Sequence, residues 1–326
     1  MSHLQVVARV QDRLTAERRR TLVTFAFALI VFVVGAFLHS GFASWGSVSA
    51  ILEVASFVGF VAAGQTFVIL VGGIDLSVPW VLNATGILFA VSSLGHSGRA
   101  IPAVVLALGL GLALGAVNGF GVAYLAVPAV VMTLAMNGIM EGLTLGLTKG
   151  LTCASCSSYA PRVLQDVVHT DVIGIPADLI LWLGVAALAS VILAFTTYGR
   201  KVYATGNNPT AAFLAGVNVR LVTLSLYALS GMFAALAGIV LVSYSGQPTL
   251  GMGDPYLFQS IAAAVIGGIS ILGGRGNYLG TVAGAISLVA LISLLQAENM
   301  PEYGRSIVYG VAILVVLVLF GREERV

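Results

Sequence analysis

The polar segment YGRKVYATGNNPTAAFLAGVNVR (Tyr198–Arg220) lies between two apolar runs, Leu179–Phe195 and Leu221–Val242. A helix needs roughly 20 apolar residues to cross the ~30 Å hydrocarbon core of a bilayer, and both runs are close to that length. A polar segment between two such runs predicts two membrane-spanning helices joined by a loop on one side of the membrane. The same alternation continues along the chain, so this segment indicates the fold class of the whole protein.

The composition excludes an ordinary soluble domain. Hydrophobic residues make up 59% of the chain and charged residues 9%, whereas soluble domains average about 25% charged residues. We predict one all-α membrane domain, 21–326, preceded by a basic arm, 1–20. It should contain about ten spans, of which 76–94 and 256–272 are short or interrupted by Gly or Pro and are expected to be broken or tilted. The ten runs are 21–38, 48–71, 76–94, 101–122, 127–148, 178–197, 221–244, 256–272, 279–296 and 304–320.

The distribution of Lys and Arg predicts the orientation of these spans. Ten crossings place both termini on one side of the membrane. That side then holds eleven basic residues and the opposite side four, which is the bias expected of a cytoplasmic side. The first group is Arg9, Arg13, Arg18, Arg19, Arg20, Arg200, Lys201, Arg220, Arg275, Arg322 and Arg325, and the second is Arg99, Lys149, Arg162 and Arg305. We therefore expect both termini in the cytoplasm, an uncleaved first helix, and an arm that rests on anionic lipid.

Glycine is frequent, with 39 residues, and three runs repeat it at every fourth position. Small residues at this spacing let helix backbones approach closely in a membrane. The pattern predicts tight packing within one chain, with a face for a second copy as the alternative. The three stripes are Gly138, Gly142, Gly146 and Gly150 in the fifth span, Gly111, Gly115 and Gly119 in the fourth, and Gly276, Gly280 and Gly284 in the ninth.

The sequence lacks motifs of catalysis. Nothing fits the P-loop, HExxH or GxSxG patterns, and no basic face for nucleic acid is present. Cys153 and Cys156 form a CxxC pair in the outer loop 149–177, where they could be free thiols or a disulfide, and only His169 lies near them for a metal site. We expect no catalytic residues, cofactor, resident metal or nucleic-acid partner.

Four carboxylates fall within or beside the predicted spans. Asp75 and Asp254 lie next to Gly and Pro near span ends, so we expect them to be solvated at the interface. Glu53 lies about one turn into the second span. Glu141 lies near the middle of the fifth, where an ionisable group is costly and indicates a functional site.

Polar residues accompany Glu141 along the fifth span. Thr133, Asn137 and Thr144 are three to four residues apart and should share roughly one helical face with it. This face could line a water-filled path or form a private buried hydrogen-bond network. We name Gln65, Thr133, Asn137 and Glu141 as candidate substrate-path residues.

A short capped helix is predicted inside the polar segment. Asn208 is a strong N-cap residue, Pro209 suits the first helical position, and Gly216 can end the helix in a left-handed conformation. About two turns of helix are unstable alone in water. Because this helix exposes Phe213 and Leu214, it should dock either on its own membrane domain or in the groove of a partner.

Three motifs resemble the permease subunits of ribose-type ABC sugar importers of the bacterial cytoplasmic membrane. They are GQTFVILVGGIDLSV (Gly64–Val78), YGRKVYATGNNPTAAFLAGVNV (Tyr198–Val219) and IAAAVIGGISILGGRGNYLGTVAGA (Ile261–Ala285), in this order. The resemblance covers about residues 46–320. It implies a path for a monosaccharide or related furanose, two permease subunits, identical or paralogous, two separate ATPase subunits, and an external sugar-binding protein.

The resemblance also implies that the loop helix is the coupling helix that contacts the ATPase. Its residues in this sequence are Gly199, Arg200, Asn208, Pro209, Ala212, Phe213, Leu214 and Gly216. The chain departs from the family pattern in charge at five positions, Glu141, Thr210, Phe213, Leu257 and Gln259. The pattern has acidic residues where this chain has Leu257 and Gln259, and Arg is common where it has Glu141. These departures bear on the choice of sugar and on ATPase docking.

Three other functions are compatible with parts of the pattern. A branched-chain amino-acid permease shares the general architecture, although GGIDLS and GGRGN resemble the sugar branch better. A secondary transporter could use Glu141 or Glu53 to carry protons and would need no ATPase. An intramembrane enzyme would need a nucleophile–base pair or a metal-ligand set at membrane depth, and the sequence shows neither.

Overall fold

The computed structural model describes residues 3–151, 158–301, 303–305, 307–308 and 310–311, with side chains from Arg19 onward. The described chain is helical, as predicted, apart from one small hairpin. Its twelve α-helices are α1 (His3–Leu38), α2 (Trp45–Ile69), α3 (Val78–Ser93), α4 (Ala100–Ala123), α5 (Ala129–Thr148), α6 (Arg162–Val168), α7 (Ala177–Phe195), α8 (Thr197–Asn207), α9 (Pro209–Leu214), α10 (Val219–Ser245), α11 (Asp254–Ile266) and α12 (Tyr278–Ala297). A 3-10 turn, Ser97–Arg99, precedes α4.

Within these described residues, seven helices are long and apolar enough to cross a membrane. They lie in α1, α2, α4 with its 3-10 turn, α5, α7, α10 and α12. The predicted tenth span, 304–320, falls largely outside the described residues. The outer loop contains elements that the sequence did not suggest, namely α6 and an antiparallel hairpin of β1 (Asp171–Val172) and β2 (Ile175–Pro176).

Two of the predicted spans are short in the structure, as their Gly and Pro content suggested. Helix α3 has 16 residues and α11 has 13, and each carries a proline in its first turn. At 1.5 Å per residue they extend about 24 Å and about 20 Å, less than the hydrocarbon thickness. Neither helix alone spans a bilayer.

The core of the bundle is formed by α2 and α10. Helix α10 packs against α4, α2 and α3, whereas α1 packs mainly against α12 at the periphery. Buried polar atoms join three of the helices, since the Trp182 indole N–H donates to the Tyr278 hydroxyl (3.1 Å), which donates to the Gly59 carbonyl (2.8 Å). These paired groups avoid the cost of unsatisfied polar atoms in a low-dielectric interior.

The glycine stripe of α4 packs within the chain, as predicted. A Cβ atom on Gly111 or Gly115 would overlap the backbone of α10 at Gly231 or Tyr227, and one on Gly119 would lie 2.7 Å from Leu224 Cα. The corresponding expectation is wrong for α5. A Cβ atom on Gly138, Gly142 or Gly146 would meet nothing within 4 Å. The α5 stripe therefore faces away from its own chain.

The third stripe is shorter than predicted. On α12, Gly280 packs against the backbone of Gly267, just after the end of α11, and Gly284 packs against the backbone of Ala263 in α11. Gly276 instead lies in the turn that precedes α12, with φ +110°, a conformation that favours glycine. The assignment of Gly276 to the helical stripe was wrong because the helix begins only at Tyr278.

Hydrogen bonds between distant segments define the two ends of the bundle. At one end, the Thr24 hydroxyl donates to Ile266 O (3.0 Å), and Asn277 contacts Thr21 (3.4 Å). We call this the α8 end, since α8 reaches the same turn when Tyr203 donates to Gly276 O (2.7 Å). At the opposite, hairpin end, the Trp45 indole donates to Gly174 O (3.1 Å).

Candidate functional site

The polar segment folds as two successive helices. The first, α8, was not predicted; it begins after Thr196, whose hydroxyl oxygen accepts from Gly199 N (3.1 Å). The second, α9, is the predicted capped helix: Asn208 Oδ1 accepts from Ala211 N (3.0 Å), and Pro209 opens the helix. Gly216 follows its end with φ +82°, so the predicted start and stop are confirmed.

Helix α9 presents an apolar surface. Phe213 is 68% exposed and Leu214 is 80% exposed, whereas Ala212 is buried against the chain. Among the other predicted contact residues, Arg200 is exposed and Gly199 is buried against the carbonyls of Ile192 and Leu193. Phe213 and Leu214 are adjacent, exposed and outside the predicted spans, which makes this surface a candidate for a contact.

An open groove of about 790 Å³ runs beside α9. Tyr124, at the end of α4, forms one side together with Arg220, whose guanidinium lies 5.8 Å from the centre of the Tyr124 ring. Thr210 and Phe213 form the other side. The groove combines apolar walls with one basic group, which suits a helix or loop of a partner.

Tyr198 holds α8 to the bundle. Its hydroxyl and the Ser225 hydroxyl of α10 are 2.7 Å apart. Burial raises the pKa of the Tyr198 phenol above its ordinary value, so the hydroxyl stays protonated at neutral pH. Helix α8 is therefore fixed to α10 by a neutral hydrogen bond that does not depend on pH in the physiological range.

The polar face of α5 lies at the edge of its contact with the bundle. Thr133 is buried, whereas Asn137 and Glu141 are half-buried, one and two turns further along. Glu141 lies close enough to Asp254, the exposed first residue of α11, for the two side chains to interact electrostatically. The structure thus brings together a carboxylate that the sequence placed at membrane depth and one that it placed near a span end.

Asp75 is fully buried, so the expectation that it is solvated was wrong. Its carboxylate accepts hydrogen bonds from the Ser77 hydroxyl (2.6 Å), Ser77 N (3.0 Å) and the Ser230 hydroxyl of α10 (2.7 Å). Gln65 uses its side-chain amide to bind the Asp75 backbone, with distances of 2.8 and 3.1 Å. The turn after α2 therefore folds back into the bundle, and Gln65 stands behind this turn.

One buried carboxylate was missed from the sequence. Asp178, at the start of α7, is fully buried and accepts from the Ser56 hydroxyl (2.7 Å). Glu53 lies near it, two turns into α2 rather than one, and interacts with Tyr244. Asp178 is the first residue of a predicted span, where an acidic residue ordinarily lies at the interface, and nothing in the neighbouring sequence indicates its burial.

The remaining predicted residues lie apart from these groups. Leu257 and Gln259 are half-buried on α11. Cys153 and Cys156 fall outside the described residues, and the His169 ring contacts Tyr244 O (3.0 Å). Within the described part of the chain, no group of three or more His, Cys, Asp or Glu residues could hold a metal ion.

Comparison with known proteins gives one family. Residues 47–317 match the family described as branched-chain amino acid transport system, permease component. The ribose import permease protein RbsC of Haemophilus influenzae is 34% identical over 298 residues, which cover 90% of this chain and 91% of that protein. No solved structure matches.

Two further relatives differ from RbsC in their named substrates. The autoinducer 2 import system permease protein LsrC of Escherichia coli O157:H7 is 33% identical, covering 94% of this chain and 88% of that protein. The fructose import permease protein FrcC of Rhizobium meliloti is 34% identical, covering 84% and 76%. A permease component itself carries out no catalysis, and the chain belongs to this family of multi-pass permease components of transport systems.

Proposed function

We propose that this chain is the membrane permease of an ABC importer for a monosaccharide or a related furanose, in the bacterial cytoplasmic membrane. The named substrates of the relatives, ribose, fructose and autoinducer 2, support a sugar or sugar-like compound. Separate ATPase subunits supply the energy, and an external binding protein delivers the substrate. The capped, exposed α9 is the observation that carries this proposal, because a docked ATPase would cover the apolar side chains of Phe213 and Leu214.

The ATPase docks on α9 and in the groove beside it. Phe213→Asp places a charge on a surface that the partner must dehydrate, so it should abolish substrate-stimulated ATPase activity while insertion in the membrane is kept. Phe213→Leu keeps the apolar character and serves as the matched control. The substrate-stimulated ATPase activity of both variants is measured in reconstituted vesicles. Full coupling with Asp at position 213 would refute the docking site.

The path runs beside the polar face of α5. Asn137 and Glu141 line it with Asp254 opposite, while Thr133 and Gln65 support it from behind. Carboxylates and amides can exchange hydrogen bonds with sugar hydroxyls in a wet cavity. A second permease subunit covers the open glycine stripe of α5 and closes the path from the other side.

We expect both termini in the cytoplasm, with ten crossings in which the short helices α3 and α11 cross together with the turns that flank them. The segments that contact one another at the α8 end carry several basic residues, in line with the basic bias of cytoplasmic loops. These residues are Arg20, Arg200, Lys201 and Arg275. Cysteines at Ser2 and Arg325, in a chain with Cys153 and Cys156 replaced by Ser, test this. An impermeant thiol reagent should label neither in intact cells and both after lysis; labelling of either in intact cells would refute it.

Two alternatives remain distinguishable by experiment. Uptake by proteoliposomes that contain the purified permease alone would indicate a secondary transporter using Glu141 or Glu53, whereas an importer permease shows none. Competition of uptake in cells by ribose, fructose and leucine separates sugars from branched-chain amino acids. Reading frames beside the gene that encode a P-loop ATPase and a secreted sugar-binding protein would support the importer.

A further inference from the structure

Three turns that each contain glycine meet at the α8 end, although they lie far apart in the sequence. They are the loop turn after α2 (70–77), the last helical turn of α8, with Gly206 and Asn207, and the loop turn before α12 (267–277). Gly274 N donates to Leu70 O at 2.8 Å, and Asn207 Nδ2 donates to Gly274 O at 3.0 Å. Each of the three motifs that resemble the sugar permeases contributes one of these turns.

The contacts leave no room for side chains. A Cβ atom on Gly206 would overlap the Leu70 carbonyl oxygen. One on Gly273 would lie 2.8 Å from Gly72 N, and one on Gly274 would lie 2.6 Å from Asn207 Cγ. Close-packed backbones transmit displacement rather than absorb it. We call this contact the three-turn junction.

The junction is joined directly to α9. Asn207 is the last residue of α8, and Asn208 both ends α8, donating its backbone N–H to Ala204 O (3.1 Å), and caps α9. No flexible linker separates the two helices. Movement of α9 therefore reaches Gly206 and Asn207 within one residue of chain.

On its other side, the junction contacts α5, the helix proposed to border the path, through the turn 70–77. The Thr133 hydroxyl of α5 is within hydrogen-bond distance of both Ala129 O (2.9 Å) and Ile74 O (3.3 Å). Within the same turn, Asp75 accepts from Ser230 of α10. Ser77 accepts from the Asn118 side chain of α4 (2.8 Å).

We propose that the three-turn junction passes movement of α9 to α5, with Asn207 and Thr133 as positioning residues at its two ends. The inference rests on the proposed function, since α9 must first dock an ATPase and α5 must border the path. Its physical basis is a continuous series of backbone and side-chain contacts between two sites, whose arrangement ATP binding would bias.

The test uses Glu141→Cys in a chain with Cys153 and Cys156 replaced by Ser, purified with the ATPase encoded beside it. The labelling rate of this thiol by a maleimide is measured with and without ATP. Asn207→Ala and Thr133→Val should each reduce the ATP-dependent change by about fivefold, the effect of one ordinary hydrogen bond on a two-state equilibrium. The ATPase should still copurify with both variants.

Matched controls separate coupling from general damage. Thr148→Val removes a threonine hydroxyl that bonds Thr144 O within α5 (2.7 Å), and it should respond to ATP like the parent. Thr133→Ser keeps the hydroxyl and should restore the response. Gly206→Ala should lose the response through overlap with Leu70, whereas Gly184→Ala, where nothing lies within 4 Å, should not.

The outcomes distinguish the two proposals. If the ATPase does not copurify with the parent, or if ATP leaves the labelling of position 141 unchanged, the proposed function fails and the junction with it. If the parent responds and Asn207→Ala and Thr133→Val respond as fully as Thr148→Val, the junction proposal is overturned while the proposed function stands.

Discussion

Two helices of this protein carry the same glycine spacing and use it in opposite ways. In α4, Gly111, Gly115 and Gly119 lie directly against the backbone of α10. In α5, Gly138, Gly142 and Gly146 face open space in the single chain. Helix α10 is largely buried, whereas most residues of α5 are exposed.

The difference shows that glycine spacing alone does not decide whether a helix face packs within its own chain. Both stripes have a period of four residues, so the spacing does not distinguish a stripe that packs within the chain from one that stays open. The polar residues beside the stripe do differ: α5 carries Asn137 and Glu141 at its edge, whereas the α4 stripe adjoins apolar residues and the buried Asn118.

The largest expected effect comes from filling the closed stripe. Gly115→Leu forces a side chain into the Tyr227 carbonyl, and overpacking against backbone should cost more than about 3 kcal/mol. Little monodisperse protein should be recovered in detergent. Gly142→Leu, the matched change in the open stripe, should fold normally. Equal recovery of the two variants would contradict the distinction between the stripes.

The next effect concerns the border of the open stripe. Glu141→Leu removes both the charge and the polar atoms, and uptake should fall at least about tenfold, a change of roughly 1.4 kcal/mol in the barrier. Glu141→Gln keeps the shape and should retain more activity. Uptake is measured in cells with equal amounts of protein in the membrane. Normal transport with Leu at position 141 would exclude this residue from the path.

A smaller effect is expected inside the closed contact. Ser230→Ala removes one donor from the buried Asp75 carboxylate, next to the Gly231 that meets α4, and should cost about 1 kcal/mol of stability. Ser245→Ala, at the exposed end of the same helix, should change nothing measurable. Thermal unfolding in detergent compares the two, and identical midpoints would show that the Asp75 bonds are not stabilising.

The smallest effect sharpens the comparison at the open stripe. Gly142→Ala adds a methyl group that meets nothing in the chain, and alanine is favoured over glycine in helices by about 1 kcal/mol. The single chain should therefore be slightly more stable. Association of two copies, measured by energy transfer in vesicles, should weaken. A loss of stability in the isolated chain would show that this stripe is packed internally after all.

The fold could be predicted largely because apolar runs and caps are local signals. Asn208, Pro209 and Gly216 determine α9 through hydrogen bonds and backbone conformations within a few residues. Helix α8 was missed because TYGRKVYATGN has no apolar run and its position depends on Tyr198 packing against α10. Long-range contact decided that element.

The environment of the carboxylates could not be predicted for the same reason. Asp75 lies two residues after a Gly-Gly pair, a pattern typical of a solvated turn, yet the Ser230 hydroxyl of α10 and the Gln65 side chain enclose it. The buried Asp178 accepts a hydrogen bond from Ser56, which is 122 residues away in the sequence. A hydrogen-bond donor at such separation leaves no trace in local spacing.

The contact between α4 and α10 also has a consequence for how the chain is made. About 110 residues separate Gly115 from the Tyr227 that it touches. At roughly 5–20 residues per second, the ribosome needs roughly 5 to 20 seconds to synthesise that interval. During this time α4 sits in the lipid with its glycine face unmatched, and α5 is inserted before the partner of α4 exists. The α4 stripe can therefore close only after α10 has been synthesised, and the first half of the bundle cannot complete its packing before then.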